Sequence, residues 1–475
     1  MFKDFDGTGR TPRKEQLEFL QFISENWHNS LVLAGTLACG VGKSAILRSV
    51  MLEHNATAIT ANNLLISEMS KAYPTMNYLI GKSHYMCAKN KDQTCEDMWK
   101  LKTHKNCGEC AYSRSRHRAL YGKEPTLYNA ISYFYAQQDP KWMIPDVLIV
   151  DEADKLIEML MLLVGETFGR NYKPPQEMDL MQVSDWLKEK ERELGVITTH
   201  AKTVRDAVIY QNKFDKVSRI RDGIITKPEE YAHAYNEKNE LVVFPIKPPA
   251  MLFDQLLRAK KLILMSATLY EEDIRKLTRR PYKHVEVGNP VDEARRRIVV
   301  KASPEPFNAS TEPSAVAAWI SKVLNEYPKR NTLIHVTYDM GVKLKRFFPD
   351  FLINTKDDKA NVLETFKKKG GIWLAAGCAE GIDLPDNICT LNIIPVLPRP
   401  NIGDPVIRKR LSLPNGDDEY NIGVVKQVQQ MAGRSTRHSE DYSLTVVSDR
   451  RFIDLVKKYR TRLPRSFIEQ IKRGY

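Results

Sequence analysis

Four cysteines, Cys87, Cys95, Cys107 and Cys110, fall between a glycine-rich turn at residues 38–44 and an acidic strand end at residues 149–154. No other feature constrains the chain as tightly. The two flanking motifs are enough to build a phosphate site, so the cysteines between them imply a metal-bearing insertion inside a nucleotide-binding domain.

The first flank, Ala38-Cys39-Gly40-Val41-Gly42-Lys43-Ser44, follows an apolar strand pattern and opens a helical one, the context a phosphate loop requires. Gly40 and Gly42 let backbone N–H groups approach phosphate. Lys43 neutralises charge, Ser44 offers a hydroxyl to magnesium, and the helix start adds its dipole. Leu37 stands where the usual pattern has its first glycine. The second flank ends an apolar run in Asp151-Glu152-Ala153-Asp154. Asp151 is expected to hold the magnesium and Glu152 to orient or deprotonate an attacking water. Either motif alone could be a surface turn, but both at strand ends make ATP and Mg2+ the expected ligands.

Hydrolysis also needs positive charge at the transferring phosphate, which a second domain can supply. Gln430-Met431-Ala432-Gly433-Arg434-Ser435-Thr436-Arg437 has that form. Gln430, Arg434 and Arg437 are the candidates, with the two arginines predicted on one helix face.

Short apolar runs at Leu31–Leu33, Val147–Val150, Leu262–Met265, Thr332–Val336 and Ile372–Ala375 alternate with helical patterns such as Lys14–Ile23 and Ser44–Glu53. Buried strands alternating with helices predict an α/β fold with mostly parallel sheets, here in two blocks. The first block would comprise residues 1–81, 126–154 and 256–295, and the second residues 296–475. Residues 82–125, with the cysteines, and residues 155–255, with long charged helical patterns, interrupt the first block. Pro245, Pro248 and Pro249 close the second interruption, because proline disfavours helix continuation.

The 475-residue chain carries a formal charge of +13, which favours an anionic partner such as nucleic acid. Lys100, Lys102, Lys105, Arg114, Arg116, Arg118 and Lys123 cluster around the cysteines. They could track a phosphate backbone or form a solvated helical face. The longest apolar run, Leu156–Val164, is too short to span a bilayer, and the N-terminus lacks a signal pattern. A cytoplasmic protein without a membrane partner is the expectation. Seven cysteines, four of them clustered, suit metal ligation in a reducing compartment better than disulfides.

These residues resemble the superfamily 2 helicases, and more closely the XPD/DinG-type iron–sulfur helicases, in order along nearly the whole chain. Arg13 and Gln16 resemble an adenine-reading motif, and Thr60–Leu65 a segment that touches the nucleic-acid backbone. Gly81–Cys87 resembles the approach to the first cluster cysteine. Ser266-Ala267-Thr268 is similar to the motif coupling hydrolysis to strand contacts. Glu380-Gly381-Ile382-Asp383-Leu384-Pro385 is similar to a second-domain motif, which makes Asp383 a nucleotide-site candidate. Ile393–Pro400 and Val447–Arg451 complete the series. The chain departs from the pattern in its compact cysteine spacing, its Asp151–Asp154 box and its short second insertion.

The resemblance implies two RecA-like domains, with an iron–sulfur insert and a helical Arch-like insert in the first. It also implies ATP-driven movement on single-stranded DNA, usually 5′ to 3′. Spacing alone leaves a [4Fe–4S] cluster and a structural Zn2+ open for Cys87, Cys95, Cys107 and Cys110, because only Cys107 and Cys110 form a close pair and His84, His104 and His117 are nearby. The resemblance favours the cluster. Cys39, Cys378 and Cys389 read as structural. Tyr85, Tyr112 and Tyr121 could offer rings to unpaired bases or simply pack.

The expected activity is that of an ATP-dependent DNA helicase acting on single-stranded and forked DNA, with a monomer as the core motor. An RNA helicase is one alternative. A metal-responsive nucleic-acid clamp that does not unwind is another.

Overall fold

The computed structural model describes residues 11–61, 63–100, 110–169, 174–202, 204–235, 239–246, 256–356, 358–378, 388–436 and 439–473, together with positions 5, 172, 253, 254, 382, 384 and 386. In chain order, β1 (Val32–Leu37), β2 (Thr57–Thr60), β3 (Asn77–Leu79), β4 (Thr126–Asn129) and β5 (Val147–Asp151) are followed by β6 (Glu166–Phe168), β7 (Tyr231–Tyr235) and β8 (Leu241–Pro245). Then come β9 (Lys261–Ser266) and β10 (Tyr282–Val287). One seven-stranded sheet runs β10-β1-β9-β5-β2-β4-β3, with parallel pairing throughout.

Parallel strands are covered on both faces and so read as unbroken apolar runs. β1 shows the consequence residue by residue. Leu33 and Leu37 join the core beneath the helices Lys14–Asn26 and Lys43–His54. Val32 and Ala34 point to the other core, with Tyr133, Leu156, Leu257 and Ile274. Alternation of side chains across a strand produces the two layers.

The second sheet contains β11 (Ile298–Val300), β12 (Thr332–Val336), β13 (Leu352–Ile353), β14 (Ile372–Ala376), β15 (Leu391–Ile394), β16 (Leu444–Val447) and β17 (Ile471–Arg473). Its order is β13-β14-β12-β15-β16-β11-β17, again parallel. The α/β class and the two parallel-sheet blocks expected from the sequence are both present.

Residues 155–255, expected to be largely helical, also contain strands. They hold the helices Leu180–Thr199 and Val204–Thr226, but β6, β8 and β7 form an antiparallel sheet beside them. Phe168, Leu241 and Val243 from that sheet share a core with Trp186, Leu187, Val217 and Ile220 of the helices. Strands this short, with polar residues interleaved, leave little periodic signal. The helix Ala153–Val164 sends Ala153 and Leu156 into the first sheet's core, so it counts with that domain rather than with the insertion. On its other side the small sheet meets the second domain, with Ala232, Phe244 and Ile246 against Val406 and Leu413. No helix among the described residues is long and apolar enough to cross a membrane.

Candidate functional site

The glycine-rich turn leaves β1 and enters the helix Lys43–His54 with two residues at positive φ, Gly40 at 91° and Gly42 at 85°. Such angles are costly for residues with a Cβ, and at Gly42 a Cβ would also collide with the Gln16 amide. Leu37 is the buried last residue of β1 and lies outside the turn, so its departure from the glycine pattern costs the loop nothing. Arg13 donates from Nη1 to the Gly40 carbonyl at 2.8 Å. Gln16 reaches the Gly42 carbonyl at 3.4 Å and accepts from the Arg13 N–H at 2.8 Å. Both residues that resemble an adenine reader are therefore fastened to the phosphate loop.

Asp151 closes β5 beside this loop. It is buried, and its Oδ1 has no hydrogen-bond partner among the described residues. Burial and the adjacent Glu152 carboxylate raise its pKa well above the ordinary 3.8, while Lys43 pulls the other way. A desolvated, unpartnered carboxylate oxygen beside a second carboxylate is a poor arrangement by itself. It fits a divalent cation, with Ser44 exposed at the start of the neighbouring helix. Glu152 takes a left-handed conformation at φ 52° and pairs with Lys155 at 3.4 Å.

The second domain approaches this site through the helix Gly416–Ala432. Gln430 donates to Thr268 Oγ1 at 3.0 Å, and the Thr268 hydroxyl donates to Asp154 Oδ2 at 2.6 Å. A single hydrogen-bonded line thus joins the second domain to the acidic box through the turn after β9. Gly433 sits directly on the phosphate loop, where an added Cβ would lie 2.6 Å from Cys39 Sγ.

Arg434 does not lie on the helix where the sequence placed it. The helix ends at Ala432 with Gly433 as its C-cap, which places Arg434 in the following turn. Arg434 donates from Nε to the Gln430 carbonyl at 3.1 Å and from Nη1 to the Ile382 carbonyl at 3.5 Å, both within its own domain. Arg437, Asp383 and Cys107 lie outside the described residues.

Three of the four clustered cysteines are described. A bridge between Met86 and Thr94 makes a small antiparallel turn. Within it Cys87 N–H donates to the Gln93 carbonyl at 2.8 Å and Cys95 N–H to the Tyr85 carbonyl at 2.7 Å. Cys110 caps the helix Ala111–Tyr121, accepting from Ser113 N–H at 3.4 Å. Cys95, Cys110 and the Tyr85 ring all lie close enough to the Tyr112 hydroxyl to perturb it electrostatically, and the two rings meet edge to face at 5.4 Å. The all-sulfur donor chemistry fits an iron–sulfur cluster or zinc. Among the described residues, no group of three or more His, Cys, Asp or Glu side chains is gathered tightly enough to hold a metal. Tyr85 and Tyr112 pack on each other, whereas Tyr121 is exposed and bonds Asp139. Arg116 is committed to Asp139 at 2.9 Å.

Sequence reasoning missed Asn289, beside the glycine-rich turn, and Tyr270, Asp273, Lys426 and Gln429 at the seam between the domains. Asn289 donates to the Cys39 carbonyl at 3.1 Å. The available signal was Gln429 and Gln430, polar residues in a helix whose neighbours Val424, Val425 and Val428 are fully buried. Buried amides demand partners. Cys378 and Cys389 are buried thiols whose pKa values are pushed up to about 11 by desolvation, consistent with structural roles.

Residues 326–470 match the helicase C-terminal domain family. A regulator of telomere elongation helicase 1 homolog from Drosophila yakuba is 32% identical over 135 residues, 24% of this chain and 13% of the relative. Its Drosophila melanogaster counterpart is 32% identical over 119 residues, covering 21% of this chain and 12% of that protein. The chain therefore matches only a small part of these longer relatives. Among solved structures, an XPD helicase aligns with 98% of this chain and 100% of its own at 15% identity, with a TM-score of 0.60. S. tokodaii Xpd4 aligns with 98% and 100% at 13% identity, with a TM-score of 0.56. The second half of the chain thus matches a helicase C-terminal domain, and the fold of the whole chain is similar to that of XPD helicases.

Proposed function

We propose that this chain is an ATP-dependent DNA helicase that moves 5′ to 3′ on single-stranded DNA and opens forked duplexes, with a monomer as the core motor. The observation that carries the reading is the unpartnered, buried Asp151 Oδ1 beside Lys43, facing a second domain linked to Asp154 through Gln430 and Thr268. Magnesium at Asp151 and Ser44 would polarise the γ-phosphate. Lys43 and the backbone N–H groups after Gly40 hold the phosphates. Glu152 orients the attacking water and accepts its proton. Arg434 and Arg437 answer the developing charge when the domains close, which requires Arg434 to leave the Ile382 carbonyl. Arg13 and Gln16 hold the loop in shape and read the base, and Asp383 completes the second-domain side.

Cys87, Cys95, Cys107 and Cys110 would hold a [4Fe–4S] cluster, whose chemistry here is four iron–thiolate bonds that fix a small insert. The exposed Arg114 and Arg118 beside it suit a phosphate backbone. The insertion at residues 155–255 takes the place of the Arch.

ATP turnover and strand displacement on 5′-tailed duplexes of DNA and of RNA test this reading. Lys43→Ala is expected to abolish turnover, by roughly 10³-fold or more, given the phosphate charge it neutralises. DNA-stimulated turnover surviving in that variant would sink the assignment of the loop. Stimulation by RNA alone, or turnover without strand displacement, would point to the RNA-helicase or clamp readings.

A further inference from the structure

The seam between the two domains continues past Gln430 and Thr268 to Tyr270, Asp273 and Lys426, which lie outside every motif that resembles the family. The turn Ser266-Ala267-Thr268 runs directly into the helix Glu271–Leu277, whose Asp273 accepts from the Tyr270 N–H at 2.8 Å. Asp273 forms an ion pair with Lys426 of the second domain, and the two side chains are only 11% and 16% exposed. Lys426 Nζ also lies 4.5 Å from the centre of the Tyr270 ring. The Tyr270 hydroxyl donates to Gln429 Oε1 at 2.7 Å, and Gln429 Nε2 donates to the Ala267 carbonyl at 3.0 Å. Gln430 then reaches Thr268. Lys426, Gln429 and Gln430 occupy one face of one helix, spaced three and four apart. All three meet the first domain within or just beyond the turn after β9.

Outside this line, Lys276 pairs with Glu419 at 3.0 Å and Arg462 with Glu272, all more exposed. Such pairs fix little. The buried pair differs, because a desolvated lysine has no alternative partner as favourable as Asp273. A helix slipped by one residue moves 1.5 Å along its axis, and a misplacement near 1 Å can cost about a hundredfold in rate.

We propose that Lys426 and Asp273 are positioning residues for ATP hydrolysis: they set the register of the helix Gly416–Ala432 against the Ser266–Thr268 turn, and so place Gln430 and Arg434. This rests on the ATPase reading above. Neither side chain need touch nucleotide; they act through the helix that carries Gln430.

The test is steady-state ATP hydrolysis by the full chain on saturating single-stranded DNA, with the thermal midpoint measured alongside. Lys426→Met is expected to lower kcat about tenfold or more while leaving KM for ATP within about twofold, the signature of transition-state placement. Lys426→Arg should recover most of the rate. The double variant Lys426→Met with Asp273→Leu replaces the pair by apolar groups of similar volume, which is commonly neutral or stabilising. Because Asp273→Leu also removes the acceptor of the Tyr270 N–H, the double variant should melt no lower than Asp273→Leu alone yet stay slow. Wild-type kcat in Lys426→Met, or full recovery in the apolar double variant, would overturn the proposal. Loss of midpoint, KM and kcat together without rescue by arginine would reduce the pair to packing. A wild-type chain without ATP turnover would instead refute the underlying reading, and the positioning role with it.

Discussion

Asp151 sits where its own chemistry is unfavourable: desolvated, next to the Glu152 carboxylate, and with one oxygen unpartnered. Its raised pKa means that the protonated form stabilises the fold below the ordinary carboxylate range. That contribution is lost as pH rises through the elevated folded value. Metal-free protein should therefore lose thermal stability relative to Asp151→Asn as pH climbs from about 4 toward neutrality, and Mg2+ should reverse the trend by binding the ionised form. Paired melting curves with and without Mg2+ would show this, and parallel curves for the two proteins would contradict it. The place of Asp151 at the end of β5 was legible because a strand ending in carboxylates is a local pattern. Its missing partner was not legible, since desolvation depends on β2 and β9 on either side.

At the next scale, the end of the helix Gly416–Ala432 governs how closely the domains meet. The sequence supports a helix continuing through Arg437, but Gly433 stops it and rests against Cys39. Gly433→Ala would force the Cys39 side chain aside. Overpacking of that kind typically costs 1–3 kcal/mol, so kcat/KM for ATP should fall about tenfold, equivalent to roughly 1.4 kcal/mol. Cys39→Ala in the same chain should restore part of the loss. Steady-state kinetics of the two variants would check the pairing, and equal defects would argue against contact between the loops. Glycine at that position shows in the sequence; the thiol it must clear lies nearly 400 residues away in the chain and does not. The small sheet β6-β8-β7 was missed for a related reason. Its register is set by packing on the helices Leu180–Thr199 and Val204–Thr226, which local alternation cannot reveal.

Across the molecule, the proposed ATP site lies where the two parallel-sheet domains meet, and two insertions interrupt the first sheet. The proposed cluster in the cysteine insertion is tested by its metal content. Chain purified without oxygen is expected to show a broad visible band with about four irons and four sulfides. A colourless protein with one zinc would keep the ATPase reading and remove the cluster. The sequence by itself determined the α/β class, the phosphate loop, the acidic box and the cysteine set, because each depends on neighbours within a few residues and on fixed strand and helix periods. Only the tertiary structure decided that Arg434 turns back toward Ile382, that Gln430 reaches Asp154 through Thr268, and that Lys426 and Asp273 form the buried pair of the seam. Those contacts join segments far apart in the chain, and burial, not spacing, selects their partners.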